Sequence, residues 1–160
     1  MRLGQFEMYD GQEILEMLQT APYCHIAIED ENSPYLVTMF FGYWEEEKRI
    51  YLHGAMEGRK VDLFNRESSK VCVQIVDSVE VVPDDNICDY FGVYRSLIIE
   101  GLLRPTCSPE EQKRALDLIV KKYADKDAPS YPEEVLSQTS TWCIEVLSVS
   151  GKKFPKEFIG

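Results

Sequence analysis

The chain has 160 residues, the length of one ordinary domain, and its hydrophobic share of 44% is too high for a disordered protein. Lysine and arginine total 17 against 28 aspartate and glutamate residues, so the formal net charge is −11. Because no block is rich in lysine or arginine, this charge disfavours binding to nucleic acid or to anionic membranes, and an anionic ligand would need a local cationic cluster.

Turn residues divide the first third of the chain into one short helix and three strands. Asp10 followed by Glu13 is the pattern of a capping box, which predicts a helix over residues 11–19 that Pro22 prevents from continuing. Alternation and a high content of β-branched and aromatic residues predict strands over residues 23–29, 35–44 and 49–54. Short turns between these strands indicate an antiparallel meander.

Helical spacing and strand alternation then take turns along the rest of the chain. Val61 and Phe64, three residues apart, predict a helix of about two turns. Ser108, Pro109 and two acidic residues predict the start of a longer helix, whose apolar stripe ends at Tyr123. Further strands are predicted over residues 70–77, 79–82 beyond a kink, 92–103 and 141–149, with a short helix over 132–137. About six strands with short peripheral helices predict a mainly β single domain over residues 1–160, a small closed or split antiparallel barrel.

The five cysteines are an odd number without C-x-x-C spacing, which predicts free, reduced thiols that act as small buried hydrophobes. Only two histidines are present, so a histidine-rich metal site is not expected, and no metal is predicted. The N-terminal residues lack the pattern of a secretory signal, and no apolar run is long enough to cross a bilayer. Together these features predict a cytoplasmic protein.

The segment from Ile50 to Lys60 carries the clearest chemical pattern. A strand ends at a corner of small residues, and a helix then begins with two adjacent cations. Gly54 and Gly58 allow close approach of a ligand to the backbone, Arg59 can bind a phosphate through two hydrogen bonds, and Lys60 adds a second charge. Taken alone, the pattern is more often that of a solvated helix start, and neither a Walker loop nor a G-x-G-x-x-G motif is present.

This segment and three further blocks, residues 35–43, 88–101 and 144–152, agree in order and spacing with one known family. They resemble the pyridoxamine 5′-phosphate oxidase-like FMN-binding split-barrel superfamily, and within it the flavin-nucleotide-binding proteins related to 5-nitroimidazole antibiotic resistance. The resemblance covers nearly the whole chain. Thr38 and Phe40 depart from it, because the family usually has proline and asparagine at these positions.

The resemblance implies that FMN is the cofactor and that Arg59 and Lys60 hold its phosphate. It further implies that Thr38, Met39 and Phe40 lie behind the isoalloxazine ring. The remaining implied cofactor residues are His53, Gly54, Ala55, Gly58, Arg95 and Ser96, with His53 also the catalytic candidate. A half-exposed strand residue is the alternative interpretation of His53, and since Arg95 and Ser96 point to opposite faces of their strand, at most one of them can reach a given ligand.

The implied function is an FMN-dependent oxidoreductase that passes electrons from NAD(P)H to a small organic acceptor such as a nitroaromatic. Two alternatives remain: a flavin carrier without a specific substrate, and a haem-binding split barrel with His25 or His53 as axial ligand. About six strands enclose too narrow a core for a flavin, so the cofactor is expected in an outer groove. We therefore expect a homodimer whose flavin sites lie at the subunit interface.

Overall fold

The structure, a computed structural model, describes residues 4–31, 33–124, 126 and 130–154. Its strands are β1 (Glu7–Met8), β2 (Cys24–Ile28), β3 (Tyr35–Met39), β4 (Phe41–Trp44), β5 (Arg49–Gly54), β6 (Ser69–Val82), β7 (Phe91–Pro105) and β8 (Ser140–Phe154). Its α-helices are α1 (Gly11–Thr20), α2 (Arg59–Phe64), α3 (Pro109–Ala124) and α4 (Glu133–Ser137). None of the helices in these ranges has the length and apolar character needed to span a bilayer.

The strands form one antiparallel sheet in the order β3-β2-β6-β7-β8-β5-β4, with β1 added on β8. The two strands at the ends of this order, β3 and β4, are separated in sequence by Phe40 alone. The sheet therefore curls into an open barrel, in which the chain passes directly from one edge strand, β3, to the other, β4. In the described residues these two strands are not joined by a ladder of hydrogen bonds. This is a mainly β split-barrel fold, and the predicted fold class is confirmed.

The single strand predicted over residues 35–44 is wrong, because it divides at Phe40. The segment before Phe40 pairs with β2, whereas the segment after it pairs with β5 on the other side of the barrel. At the junction, the backbone N–H of Phe41 donates to the hydroxyl of Tyr123, at 3.2 Å, instead of to a neighbouring strand. Alternation in the sequence continues through this point, so the change of partner leaves no mark in the pattern.

The main core fills the inside of the barrel. The predicted inward face of β2, with Cys24, Ile26 and Ile28, is buried as expected. A second, smaller cluster lies outside the barrel wall, where α3 covers Tyr51 and Cys143. The helix approaches closely at Gly42, where a Cβ atom would lie 2.7 Å from Leu118 Cβ.

The last strands are longer than the sequence predicts. The kink predicted near residue 78 is a register shift between Asp77 and Glu80 within the continuous strand β6, and β7 and β8 each reach 15 residues. Tyr123, predicted to end the buried stripe of α3, is 40% exposed because its ring packs against Phe40 outside the barrel.

Two expectations about local chemistry need correction. The Asp10 side chain accepts from the N–H of Gln12, but Glu13 forms an ion pair with Lys153 rather than completing a capping box. All five cysteines are free, yet only two are buried. The exposed ones are Cys72, Cys88 and Cys107.

Candidate functional site

The turn between β5 and α2, residues 53–60, is named here the β5–α2 corner. Gly58 has φ 110°, a conformation that favours glycine, and it turns the chain into the helix. Gly54 is required for close packing, because a Cβ atom there would lie 2.7 Å from Lys60 Nζ and 3.2 Å from the Trp142 ring. The two glycines identified in the sequence therefore shape the corner and bring Lys60 back over the end of β5.

Lys60 is the unpaired cation of the corner. Its ammonium lies 5.7 Å from the centroid of the buried Trp142 ring, and within the described residues it makes neither an ion pair nor a hydrogen bond. Partial burial lowers the pKa of Lys60 below its ordinary value. A half-buried ammonium without a partner is costly for the fold alone, which makes it a strong candidate for binding an anion.

Arg59 has partners of its own. Its guanidinium donates to Asp30 Oδ2 from Nε at 3.0 Å and from Nη2 at 2.6 Å, and it lies 4.9 Å from the centroid of the Tyr35 ring. The hydrogen bond from Arg59 and the N–H of Glu31 hold the pKa of Asp30 below its usual range. The two adjacent cations thus have different surroundings, and Asp30 would compete with a phosphate for Arg59.

His53 is half-buried, and its Nδ1 atom is buried with no hydrogen-bond partner among the described residues. It lies on the same face of β5 as Tyr51 and opposite to Leu52, so its ring points away from the barrel interior. Burial, and then the charge of Lys60, lower the pKa of His53. The imidazole is therefore neutral near pH 7 and keeps an unused ring nitrogen.

The predicted flavin-facing strand presents two side chains outward and one inward. Thr38 is exposed and its hydroxyl lies 3.0 Å from His25 Nδ1, and the Phe40 ring is 58% exposed. Met39 is buried in the core, so only its backbone is available to an outside ligand. Continuing the β4–β5 pairing by one residue sets Phe40 opposite His53, which joins two of the sequence blocks at one place.

Ala55 and Gly58 are exposed at the corner, as the sequence predicts for residues that border a ligand. Ser96 is half-buried and is paired with Val76 and Lys152 across the sheet. Ser96 is therefore far along β7 from the corner. The end of β7 that lies close to the corner is Pro105, which is paired with Trp142.

Arg95 is also separated from the corner within one chain. It donates to both carboxylate oxygens of Asp77, at 3.0 and 2.8 Å, and to Glu16 of α1 at 3.1 Å. About 30 Å of strand separate it from Pro105, at roughly 3.3 Å per residue. Arg95 thus fastens α1 to the sheet, and it can join a site with His53 only from a second copy.

Two residues beside the corner make contacts that the sequence does not indicate. Asp30 lies in a run of turn-forming residues, which conceals its role as the partner of Arg59. Asn65 accepts a hydrogen bond from the Trp142 indole at 2.9 Å and so fixes the ring that lies beneath Lys60. Neither contact can be read from the sequence, because both are made across the fold.

A cavity of about 730 Å³ does not coincide with the corner. It lies outside the sheet beside the β2–β3 turn and none of the predicted flavin residues lines it. Its rim carries Glu29, Asp30, Glu31 and Glu100 against a single cation, Lys70, so it is unsuited to a phosphate. In the described part of the chain, no group of three or more His, Cys, Asp or Glu could hold a metal ion.

Comparison with known proteins connects this geometry to a family. No curated protein matches the chain in sequence. Among solved structures, a candidate 5-nitroimidazole antibiotic resistance protein from Bacteroides thetaiotaomicron is 30% identical, with a TM-score of 0.78, over 91% of this chain and 85% of that one.

Two further structures share the fold at lower identity. A flavocytochrome from Azotobacter vinelandii is 17% identical with a TM-score of 0.77, over 97% of this chain and 72% of that one. An FAD and heme binding protein from Mycobacterium smegmatis is 16% identical with a TM-score of 0.77, over 96% and 78%. The sequence itself matches the family described as pyridoxamine 5′-phosphate oxidase over residues 10–153, nearly its whole length. The chain therefore belongs to the pyridoxamine 5′-phosphate oxidase family.

Proposed function

We propose that this protein is a flavin-dependent oxidoreductase that binds FMN at the β5–α2 corner. The observation that carries the proposal is the pair formed by the half-buried cation Lys60 and by His53, whose Nδ1 atom is buried. Among the residues that the structure describes, Lys60 has no carboxylate partner and His53 Nδ1 has no hydrogen-bond partner. In a chain of net charge −11, such groups are held beside each other at a cost that a bound anion would offset.

The residues of the corner fit a flavin phosphate and ring. Lys60 supplies a charge-assisted contact to the phosphate, and Arg59 adds a second if it shares its guanidinium between the phosphate and Asp30. Ala55 and Gly58 are exposed and leave the backbone open to the ligand, whereas Gly54 allows Lys60 to approach the end of β5.

The flavin ring, when bound, supplies the transfer of a hydride, which no side chain of the corner can carry out by itself. Phe40 and Thr38 offer an exposed outer surface against which a planar ring can lie. His53, neutral near pH 7, can exchange a hydrogen bond or a proton with the bound ring or with a substrate.

We also propose a homodimer with the flavin between the copies. The corner is open in one chain, and Arg95 is too distant to share it except across an interface. One row of paired residues crosses five strands on the outer face without an acidic or basic side chain other than histidine: Thr38, His25, Gln74, Ile98 and Ser150. Two strongly acidic copies would repel each other elsewhere, so this face favours self-association.

For the reaction, we propose NAD(P)H as electron donor and a small organic acceptor. A nitroaromatic acceptor is suggested by the similarity to the Bacteroides thetaiotaomicron protein, a candidate 5-nitroimidazole antibiotic resistance protein. The fold and the corner do not distinguish among acceptors, so this part of the proposal rests on that likeness.

The purified protein tests the proposal directly. We expect a yellow protein whose acid-released chromophore has the mass of FMN, and whose colour is bleached anaerobically by NADH or NADPH. Lys60→Met should lower FMN affinity about ten- to a hundredfold, the cost of one charge-assisted contact. Bound flavin that no nicotinamide donor reduces would identify a carrier, and a haem spectrum would overturn the proposal.

A further inference from the structure

A second cleft, of about 430 Å³, adjoins the β5–α2 corner and belongs to none of the flavin contacts proposed above. The loop after β5, the end of α2, the end of β7, the start of α3 and the end of α4 form its walls. Its lining residues are Met56, Asn65, Pro105, Thr106, Cys107, Ser108, Pro109, Gln112, Leu136, Ser137, Thr139, Ser140 and Thr141. We name it the β7–α3 cleft.

The cleft has no charged lining residue, although 28% of the chain is charged. Six of its thirteen lining residues carry hydroxyl groups and two carry side-chain amides, whereas methionine, proline and leucine supply apolar surface. Charged ligands would leave their charge uncompensated there, and purely apolar ligands would leave Ser140 Oγ, Gln112 Oε1 and Asn65 Nδ2 without strong partners. The lining therefore suits a neutral ligand that combines hydroxyl groups with a flat apolar part.

Hydrogen bonds across the fold hold the walls of the cleft in place. Gln112 donates from Nε2 to the carbonyls of Leu136 and Thr139, both at 2.9 Å, which ties the end of α4 to α3. The hydroxyls of Thr106 and Thr141 lie 2.7 Å apart and join β7 to β8. Such walls keep their shape before a ligand arrives, which reduces the entropy lost on binding.

The same bonds leave further donors and acceptors for a ligand. Because Gln112 uses its Nε2 group, its Oε1 atom remains as an acceptor; because Asn65 accepts through Oδ1, its Nδ2 group remains as a donor. The hydroxyl of Ser140 has only the weak acceptor Met56 Sδ, at 3.1 Å. A sugar, whose hydroxyls both donate and accept, matches this set.

The position of the cleft connects it to the corner. Met56 and Asn65 lie on either side of Lys60 in sequence, and Thr141 pairs with His53 across β5 and β8. A ligand that begins at the phosphate-binding cations and continues past Trp142 would therefore enter the cleft.

We propose that the β7–α3 cleft binds the nucleoside part of a dinucleotide, a neutral ribose with its attached planar base. This rests on the proposed flavin function only for its biological setting, because the cleft is formed by residues outside the phosphate site. Two sources share this chemistry: the adenosine half of a flavin dinucleotide, and a nucleoside of the nicotinamide donor.

Adenosine is the probe for the cleft, measured by calorimetry on the purified chain without added flavin. Ser137→Trp fills the cleft from the exposed end of α4 and should weaken adenosine binding at least tenfold. The matched control is Val135→Trp, on the same helix but outside the lining, which should leave binding unchanged. Ser140→Val, which deletes one hydroxyl, should weaken binding about threefold to tenfold.

Two further measurements distinguish the sources. If Ser137→Trp lowers affinity for FAD but not for FMN, the cleft holds the adenosine of the cofactor. If it raises the KM for NADH but leaves reduction by 1-methyl-1,4-dihydronicotinamide, a donor without a sugar, unchanged, the cleft holds the donor. Absence of adenosine binding below about 10 mM, or equal binding by the Ser137→Trp variant, would overturn the proposal whether or not FMN binds at the corner.

Discussion

Two regions along the same strand, β5, differ in whether their buried polar groups have hydrogen-bond partners. At Tyr51, the buried carboxylate of Glu111 accepts hydrogen bonds from Arg104, from the N–H of Cys107 and from the Tyr51 hydroxyl. Two residues further on, His53 Nδ1 is buried without a hydrogen-bond partner and Lys60 forms no ion pair, as far as the described residues extend. Buried polar groups that only stabilise a fold are normally hydrogen-bonded within the chain. We therefore interpret His53 Nδ1 and Lys60 as part of a candidate ligand-binding site.

Arg95 and its partners resemble the region around Tyr51 and Glu111, in which the polar groups are hydrogen-bonded within the chain. The bidentate pair with Asp77 and the contact with Glu16 use all three nitrogens of its guanidinium, and these hydrogen bonds raise the pKa of Arg95 above its ordinary value. Within one chain these partners give Arg95 a structural role, and its contact with the cofactor stays a prediction for the proposed dimer. Five substitutions test this difference between the two regions.

Removing the carboxylate of the satisfied region should have the largest effect. Burial alone would raise the pKa of Glu111, but the hydrogen bonds from Arg104 and Cys107 outweigh it and hold the pKa below its ordinary value. Glu111→Ala leaves Arg104 and the Cys107 N–H without their partner, and should lower the free energy of unfolding by about 3 kcal/mol. Urea denaturation measures this, with Glu110→Ala at the exposed neighbouring position as the control; equal stability of the two variants would contradict it.

Neutralising the unsatisfied region should instead affect binding. Lys60→Met removes the unpaired cation and should leave the free energy of unfolding unchanged or slightly higher, while FMN affinity falls about ten- to a hundredfold. Arg59→Met should weaken FMN only about threefold to tenfold, because Asp30 already uses part of this guanidinium. Fluorescence titration gives both affinities, and a larger loss for Arg59→Met than for Lys60→Met would contradict the ranking.

Releasing Arg59 from its partner should act in the other direction. Asp30→Asn removes the carboxylate that competes with a phosphate, so we expect FMN to bind about twofold to fivefold more tightly. The same substitution at Asp62, on the exposed side of α2, is a control for the change in net charge. Weaker binding by Asp30→Asn would mean that Asp30 orients Arg59 for the ligand rather than competing with it.

The smallest expected effect is a dependence of stability on pH at His53. Its folded-state pKa lies below the ordinary value of about 6.5, so the unfolded chain binds a proton more readily than the folded one. Stability is therefore full above about pH 6.5 and is lost as pH falls through the folded-state pKa. His53→Gln should reduce the loss seen by urea denaturation between about pH 7.5 and 5.5, and an identical loss in both proteins would assign it to other groups.

Local patterns predicted much of the fold, because they depend on neighbours in sequence. The alternation of Cys24, Ile26 and Ile28 and the helix start at Ser108 were correct, and the glycines of the corner lie where the segment after β5 predicts them. The division of the strand at Phe40 could not be predicted, since it depends on which strand lies on each side. For the same reason the sequence did not indicate that Asp30 would hold Arg59.

The predicted site residues likewise fall into those that lie at the corner and those that lie elsewhere in one chain. Sequence blocks brought His53 and Lys60 to one corner, where the structure has them. They also grouped Arg95 and Met39 with that corner, although one is far along β7 and the other faces the core. A motif preserves the order of residues, but the distance between two motifs is fixed only by strand pairing.

The junction at Phe40 has a consequence for how this chain can vary. One continuous segment serves as the edge of both ends of the sheet, and its side chains alternate between core and surface on each side of the junction. An added or deleted residue there would exchange the inward and outward positions of β4 relative to β3, turning Phe41 out of the core. The number of residues at this junction is therefore constrained more strictly than the type of residue. We expect natural variants of the barrel to replace residues here and to keep the same number of them.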